Sequence, residues 1–195
     1  MTQPLHIGLL GAMPEEVGSD LSHLTDLSCS DHGDLTIHRG VWGDNIRLSL
    51  AWSGWGKVSA ARAATRLLAS DPGIDLLLFT GVAGAADPAL RQWDVVLADA
   101  VVQHDMDARP LFPRFTLPAL KQDRLQPQPA WFNWAKTALL EAHSAGDLDG
   151  FARPSSGLIA TGDRFIGDPA VLQALRDALP GLRAVEMEGA AVAQV

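Results

Sequence analysis

The sequence predicts a three-layer α/β fold in which a mixed, mostly parallel central sheet is flanked by helices. Short apolar runs, such as the Leu-Leu-Leu-Phe within the predicted strand 74–80, are typical of strands buried on both faces of a sheet. They alternate with stretches of helical periodicity. Two further segments, 35–42 and 46–52, flank a Gly-Asp-Asn turn, which indicates a hairpin and therefore a mixed sheet. No repeat or linker interrupts the chain, so we expect a single domain over residues 1–195.

The first half of the chain is predicted to run strand, helix, hairpin, helix. Residues 6–11 form an apolar run that predicts the first strand, and Pro14 stands where the first turn of a helix tolerates a missing N–H. A looser stretch at 29–34 leads into the hairpin. Apolar positions at helical spacing predict a helix over 58–70, which the Asp-Pro-Gly sequence at 71–73 ends.

The second half is predicted to alternate strands and helices around one long connection. Residues 104–128 form this connection, which is rich in proline and polar side chains. The strands are predicted at 74–80, 93–102, 157–160 and 182–185, and the helices at 131–143 and 169–178.

Composition excludes several classes of protein. The formal net charge of −8 argues against a general binder of nucleic acid or anionic membranes, because both require basic patches. The single cysteine, Cys29, excludes an internal disulfide framework and fits a reducing compartment. We see neither a signal-type leader nor an apolar run of membrane-spanning length. We therefore expect a cytoplasmic protein.

Several catalytic chemistries can also be set aside. The six histidines are scattered, without the close spacing of zinc sites, and only the segment 104–107 gathers possible ligands. The chain has no GxSxG nucleophile elbow and no Walker loop. We expect neither a metal nor a cofactor.

Unusual residues follow the ends of four predicted strands, at 11–16, 81–84, 162–166 and 186–188. Sites in open α/β sheets form at this carboxyl edge. If the edges converge, the pocket has a glycine floor, an apolar wall and carboxylates, and it is not cationic enough for a dedicated phosphate site. A neutral, polyhydroxylated ligand with a flat apolar part suits such a pocket, and a nucleoside fits that description.

Each of these features also has a purely structural explanation. Glu15 and Glu16 suit the positive end of a helix dipole. The glycines of 81–84 could serve only a tight turn between elements. Phe165 and its neighbour Ile166 could belong to the core, and the glutamates of 186–188 could be a solvated helix start.

Six segments decide between these explanations when they are taken together. They lie at 7–17, 53–61, 80–84, 93–96, 161–166 and 184–191. Among their sequences are IGLLGAMPEEV, SGWGKVSAA, TGDRFI and AVEMEGAA. In their order along the chain and in their amino-acid sequences they resemble the methylthioadenosine/S-adenosylhomocysteine nucleosidases of the purine nucleoside phosphorylase superfamily. The resemblance implies a hydrolase that cuts the N-glycosidic bond of 5′-methylthioadenosine or S-adenosylhomocysteine type nucleosides, releasing adenine and a thioribose.

The resemblance also implies roles for individual residues. Glu16 matches the glutamate that activates the attacking water, and Glu188 matches the carboxylate that holds the ribose hydroxyls. Met187 would pack beneath the sugar, while Phe165 and Ile166 would contact adenine. The predicted substrate-binding residues are Val82, Ala83, Gly84, Phe165, Ile166, Glu186, Met187 and Glu188.

Other positions depart from the family's pattern or concern a second subunit. Trp55 replaces a smaller aliphatic residue near the 5′-substituent, a pocket to which we also assign Met13, and Val82 stands where many members carry serine. The resemblance also implies a homodimer, in which the region 104–128 reaches the neighbouring subunit's pocket. The predicted contacts there are Phe112, Pro113 and Phe115. The family's proton-donating aspartate, final strand and closing helix would lie beyond Val195.

Three other functions stay open from the residues. A phosphorylase of the same superfamily would use phosphate in place of water and would need cationic residues. Arg164 is such a residue and keeps this alternative open. A futalosine-type nucleosidase is possible because Trp55 and Val82 alter the substrate wall. A non-catalytic nucleoside-binding remnant would follow if the chain truly ended at Val195.

Overall fold

A computed structural model describes residues 4–18, 21–148 and 150–195. The chain divides into two compact units. Unit 1 comprises the described residues up to Val82 together with Gln194–Val195, and unit 2 comprises Ala83–Ala193. That these units form a single domain stays our prediction.

Unit 1 contains a five-stranded sheet with the order β2-β3-β4-β1-β5. Strand β1 lies parallel to both β4 and β5, whereas β2, β3 and β4 are antiparallel neighbours. The predicted hairpin is therefore present as β3 and β4. The strands are β1 (Leu5–Gly11), β2 (Leu24–His32), β3 (Leu35–Trp42), β4 (Ile46–Trp52) and β5 (Leu76–Phe79).

Strand β2 corrects the expectation of a looser stretch at 29–34. Its last residues, from Ser28 to His32, pair in register with β3. Most of its side chains are exposed, so the strand has none of the apolar alternation by which strands are recognised in a sequence. Backbone hydrogen bonds to β3 hold it in place.

Two helices belong to unit 1, α1 (Pro14–Val17) and α2 (Lys57–Ser70). Helix α2 buries a face of small side chains and one leucine, namely Ala60, Ala63, Ala64 and Leu67. A Cβ atom added to Gly8 of β1 would lie 3.3 Å from Leu67. Glycine on the strand therefore lets the helix pack closely onto the sheet.

Unit 2 contains a four-stranded sheet with the order β6-β9-β8-β7. Strands β7, β8 and β9 are parallel neighbours, and β6 pairs antiparallel with β9. The carboxyl ends of the three parallel strands thus share one edge. The strands are β6 (Gly84–Ala85), β7 (Val96–Gln103), β8 (Ser155–Thr161) and β9 (Leu182–Glu186); the helices are α3 (Pro129–Ala145), α4 (Pro169–Ala178) and α5 (Gly189–Val192).

The structure confirms the mixed α/β class with helices flanking mostly parallel strands. In one respect it differs from the expectation, because the described strands hydrogen-bond as two sheets where we predicted one central sheet. Strand β5 joins the first sheet through β1, and β6 joins the second through β9. The glycine-rich segment between β5 and β6 separates the two sets of pairings. Along the part of the chain that the structure describes, none of the helices combines the length and apolar character needed to cross a bilayer.

A chain of hydrogen-bonded polar side chains, buried at His6 and Ser49 and half-buried elsewhere, crosses the sheet of unit 1. The hydroxyl of Ser49 donates to Asp71 at 2.7 Å. Since that hydroxyl has a single proton, the 2.9 Å contact between Ser49 Oγ and His6 Nε2 requires the imidazole to be the donor. Asp71 in turn accepts from Arg39 at 2.8 Å, and Arg39 donates to Ser30 at 2.6 Å. This chain ties β1, β2, β3 and β4 to the end of α2.

His6 makes the stability of unit 1 dependent on pH. Burial, followed by the nearby charge of Arg47, lowers the pKa of His6 below its usual value of 6.5. The folded state therefore resists protonation of this imidazole more than the unfolded state does. Stability from this group is complete above about pH 6.5 and is lost as the pH falls below that value.

We expect the free energy of unfolding to decline from pH 7.5 to pH 5 less steeply in His6→Gln than in the wild type. Glutamine has a side-chain amide that can donate to Ser49 but does not titrate. Denaturant unfolding measured at several pH values gives the two slopes. Equal slopes would show that His6 contributes nothing to the pH dependence.

Candidate active site

The predicted site residues fall into two groups, one in each unit. Unit 1 holds Met13, Glu16, Trp55 and Val82. Unit 2 holds the other substrate-binding residues and the segment 112–115. Most of these residues lie at the end of a strand or in the segment that follows it.

Three backbone N–H groups bind the carboxylate of Glu16. One oxygen, Oε2, accepts from Ala12 at 2.7 Å and from Met13 at 3.1 Å. The other, Oε1, accepts from Val82 at 3.2 Å. Glu16 lies in the first turn of α1, and its bond to Met13 is the backward reach of an N-terminal capping glutamate. The carboxylate is thereby fixed between the loop after β1 and the loop after β5.

Gly81 makes room for that carboxylate. A Cβ atom at this position would lie 2.8 to 3.0 Å from the carboxylate atoms of Glu16, closer than real side chains approach. The sequence assigned the glycines of 81–84 either to the floor of a ligand pocket or to a tight turn. At Gly81 the group that approaches is a carboxylate of the protein.

Glu15 and Glu16 differ although they are adjacent. Glu15 is exposed, whereas Glu16 is half-buried and binds the backbone as described above. A helix-dipole role is thus sufficient for Glu15 but does not account for the contacts of Glu16 with a loop 66 positions away.

The other predicted residues of unit 1 are accessible. Trp55 is 66% exposed and Val82 is 69% exposed, while Met13 is half-buried. The loop of Trp55 is held beside the Glu16 loop, because Ser53 N donates to Gly11 O at 2.9 Å and Gly54 N donates to Ala12 O at 3.0 Å.

The first glutamate of the Glu-Met-Glu sequence in unit 2 binds its own turn. Glu186 Oε1 accepts from the hydroxyl of Thr161. Its Oε2 accepts from the N–H groups of Glu188 at 2.7 Å and Gly189 at 2.6 Å. Thr161 is fully buried and also accepts from Ala190 N at 2.8 Å. Glu186 and Thr161 therefore fasten the ends of β8 and β9 to the start of α5.

Glu188 is the second glutamate and the N-cap residue of α5. Only 6% of it is exposed, so it is not a solvated helix start. Met187 between the two glutamates is half-buried. Gly84 pairs with Val185 of β9 through β6, and Ala83 beside it is exposed.

Phe165 and Ile166 have different environments. Phe165 is 85% exposed, which excludes a core role within the chain. Ile166 is partly buried and packs against the core of unit 2. The exposed aromatic ring is available to a ligand, and its neighbour is anchored in the protein.

The segment predicted to contact a second subunit also contains both exposed and buried residues. Pro113 is exposed and Phe112 is half-buried. Phe115 is buried within the core of unit 2 and so has a structural role inside one chain.

The described ranges contain no cluster of three or more His, Cys, Asp or Glu side chains arranged to hold a metal ion.

Sequence reasoning did not reveal how two residues organise the loops. Thr161 and Gly81 both lie in the recognised motifs, but their roles become visible only from contacts in the structure. Thr161 donates a hydrogen bond to Glu186, and Gly81 leaves room for the carboxylate of Glu16.

Known proteins resemble this chain over most of its length. The family model described as the phosphorylase superfamily matches residues 6–195. The 5′-methylthioadenosine/S-adenosylhomocysteine nucleosidase of Marinomonas sp. (strain MWYL1) is 37% identical over 192 residues, which are 97% of this chain and 78% of the relative.

Solved structures show the same likeness. The nucleosidase of that name from Neisseria meningitidis, in complex with methylthio-immucillin-A, superposes with a TM-score of 0.85 at 28% identity, over 97% of this chain and 78% of the other. The native futalosine hydrolase of Helicobacter pylori superposes with a TM-score of 0.81 at 30% identity, over 97% and 77%.

The fold and the family match define a protein of the phosphorylase superfamily. Within it, the chain belongs to the 5′-methylthioadenosine/S-adenosylhomocysteine nucleosidase family, as the 37% identity over most of both sequences shows.

Replacing Thr161 by valine tests its role in the turn. The substitution keeps the shape but removes the hydroxyl that joins Glu186 to Ala190 N, so we expect a loss of about 1–3 kcal/mol in the free energy of unfolding. Thr161→Ser keeps the hydroxyl and should lose much less. Denaturant unfolding compares the three proteins, and equal stability of the valine and serine variants would contradict the assignment.

Proposed function

We propose that this protein hydrolyses the N-glycosidic bond of 5′-methylthioadenosine and S-adenosylhomocysteine type nucleosides, releasing adenine and a thioribose. Membership of the nucleosidase family supports this activity. The arrangement of Glu16 carries the assignment of the catalytic residue.

Glu16 suits the role of general base. A carboxylate offers about four acceptor positions, and three of those of Glu16 are filled by backbone N–H groups. These bonds fix the direction of the remaining position, which can accept a proton from a water molecule. A water held there gains nucleophilicity as it attacks the sugar carbon, because Glu16 removes its proton as the new bond forms.

The residues of unit 2 are proposed to hold the substrate. Glu188 accepts hydrogen bonds from the ribose hydroxyls, which are of the stronger, charge-assisted kind. Met187 packs beneath the sugar. Phe165 provides an exposed aromatic face for adenine, and Ile166 beside it contributes backbone hydrogen bonds.

Carboxylates also suit the electrostatics of bond cleavage. The glycosidic bond breaks through a state in which the ribose carries positive charge, and fixed negative groups stabilise such a state. Neither the segment around Glu16, residues 11–18, nor the segment around Glu188, residues 184–191, contains a lysine, arginine or histidine. Phosphorolysis, which requires cations for a phosphate dianion, is therefore the weaker proposal.

A futalosine-type substrate is the second candidate. The observation in its favour is the exposed pair of Trp55 and Val82, which would reshape the wall near the 5′-substituent. The likeness to a futalosine hydrolase supports this candidate as well.

We further propose that the protein is a cytoplasmic homodimer. Cys29 is an exposed, free thiol, which fits a reducing compartment. The exposed Pro113 and the half-buried Phe112 are the proposed contacts with the second subunit.

Adenine release from methylthioadenosine tests the proposal. We expect release that does not depend on phosphate, and a kcat about 10²–10⁴-fold lower in Glu16→Gln than in the wild type. The matched control is Glu15→Gln, which makes the same chemical change at the exposed neighbouring position and should retain activity. Free adenine and the sugar product are measured with methylthioadenosine, S-adenosylhomocysteine and futalosine.

The other outcomes separate the competing functions. A sugar phosphate formed only with phosphate would identify a phosphorylase. Binding of the nucleoside without adenine release would identify a binding protein. Full activity of Glu16→Gln would show that Glu16 serves only the backbone of its loop.

A further inference from the structure

His104 and Asp105 follow the last residue of β7 and face the end of the neighbouring strand β8. The sequence distinguishes this His-Asp pair only as possible metal ligands. In the described part of the chain no metal-binding cluster includes them. Their contacts instead lie along three consecutive residues, 161–163.

His104 holds the first two of these residues. Its N–H donates to Thr161 O at 2.8 Å, which extends the pairing of β7 and β8 by one residue. Its ring lies against Gly162, where an added Cβ atom would overlap the imidazole. Only 6% of His104 is exposed, so the ring is confined from other sides as well.

Asp105 holds the third residue. Its Oδ2 accepts from the backbone N–H of Asp163 at 2.9 Å. Gly162 N also donates to Glu186 O at 3.1 Å. The turn 161–163 is thus bound on one side by the end of β7 and on the other by the end of β9.

This turn begins the segment that carries Phe165 and Ile166. Phe165 is exposed and has little packing of its own to fix its position. The placement of its ring therefore depends on the backbone that precedes it. Ordering that backbone before a ligand arrives removes part of the entropic cost of binding.

We propose that His104 and Asp105 are positioning residues for the nucleoside base. They fix the turn 161–163 and, through it, the backbone of Phe165 and Ile166. The inference rests on the proposed function, because it assumes that these two residues contact adenine.

A double-mutant cycle between His104 and Gly162 tests the first contact. Gly162 has an ordinary φ angle, so alanine at this position tests the contact with the ring and not backbone strain. We expect Gly162→Ala to raise KM for methylthioadenosine about tenfold. In the His104→Ala background, where the ring is absent, the same change should raise KM less than about threefold.

Asp105 has a matched control in the same loop. Asp105→Ala removes the acceptor for Asp163 N and should raise KM about fivefold, with kcat within about twofold, as expected for a single hydrogen bond. Asp105→Asn keeps an acceptor oxygen and should restore most of the loss. The control Asp107→Ala removes a carboxylate that binds Arg109, outside the turn, and should leave KM unchanged.

Amide hydrogen exchange provides a readout that does not require activity. We expect faster exchange at Asp163 N in Asp105→Ala than in Asp107→Ala. If the wild type releases adenine but KM is unchanged in Asp105→Ala, or if the two changes of the cycle multiply independently, the inference is wrong and the proposed function stands. If the wild type releases no adenine, the proposed function is wrong. Unchanged exchange at Asp163 N in Asp105→Ala would show, independently of activity, that Asp105 does not hold the turn.

Discussion

Hydrogen bonds from backbone N–H groups to carboxylates near strand ends are the interaction on which the loops of this protein depend. Glu16 joins the loops after β1 and β5, and Glu186 joins the end of β9 to the start of α5. Both carboxylates accept from N–H groups at a helix start, which have no partner within the helix, and Glu16 also accepts from Val82 in the loop after β5. One interaction therefore satisfies the backbone and keeps a negative charge at a fixed place.

This constraint explains why a glycine stands opposite Glu16. Gly81 allows the carboxylate of Glu16 to approach the backbone, because a Cβ atom at this position would lie 2.8 to 3.0 Å from it. Gly81 is thus required by the protein's own contacts before any ligand is considered. The ligand-binding role that we propose for residues 82–84 is additional to this structural requirement.

Features set by local sequence were predictable. The hairpin of β3 and β4 and the bounds of α4 follow from periodicity and turn residues. Strand β2 could not be predicted in this way, because its exposed side chains leave no apolar pattern. Roles that depend on distant contacts were equally hidden. The bond between Thr161 and Glu186 joins positions 25 residues apart, and nothing in either segment alone identifies the partner.

The two pairs of glutamates show how the structure sharpens a motif. In each pair the sequence offers two similar carboxylates, and the contacts distinguish them. Glu15 is exposed while Glu16 is bound to three N–H groups; Glu186 fastens the turn while Glu188 lies buried beside it. A carboxylate that is held rigidly and remains charged can stabilise a cationic sugar more effectively than a mobile one, because no reorganisation is needed as the charge develops. The bonds that build the loops thereby prepare the charges that the proposed hydrolysis uses.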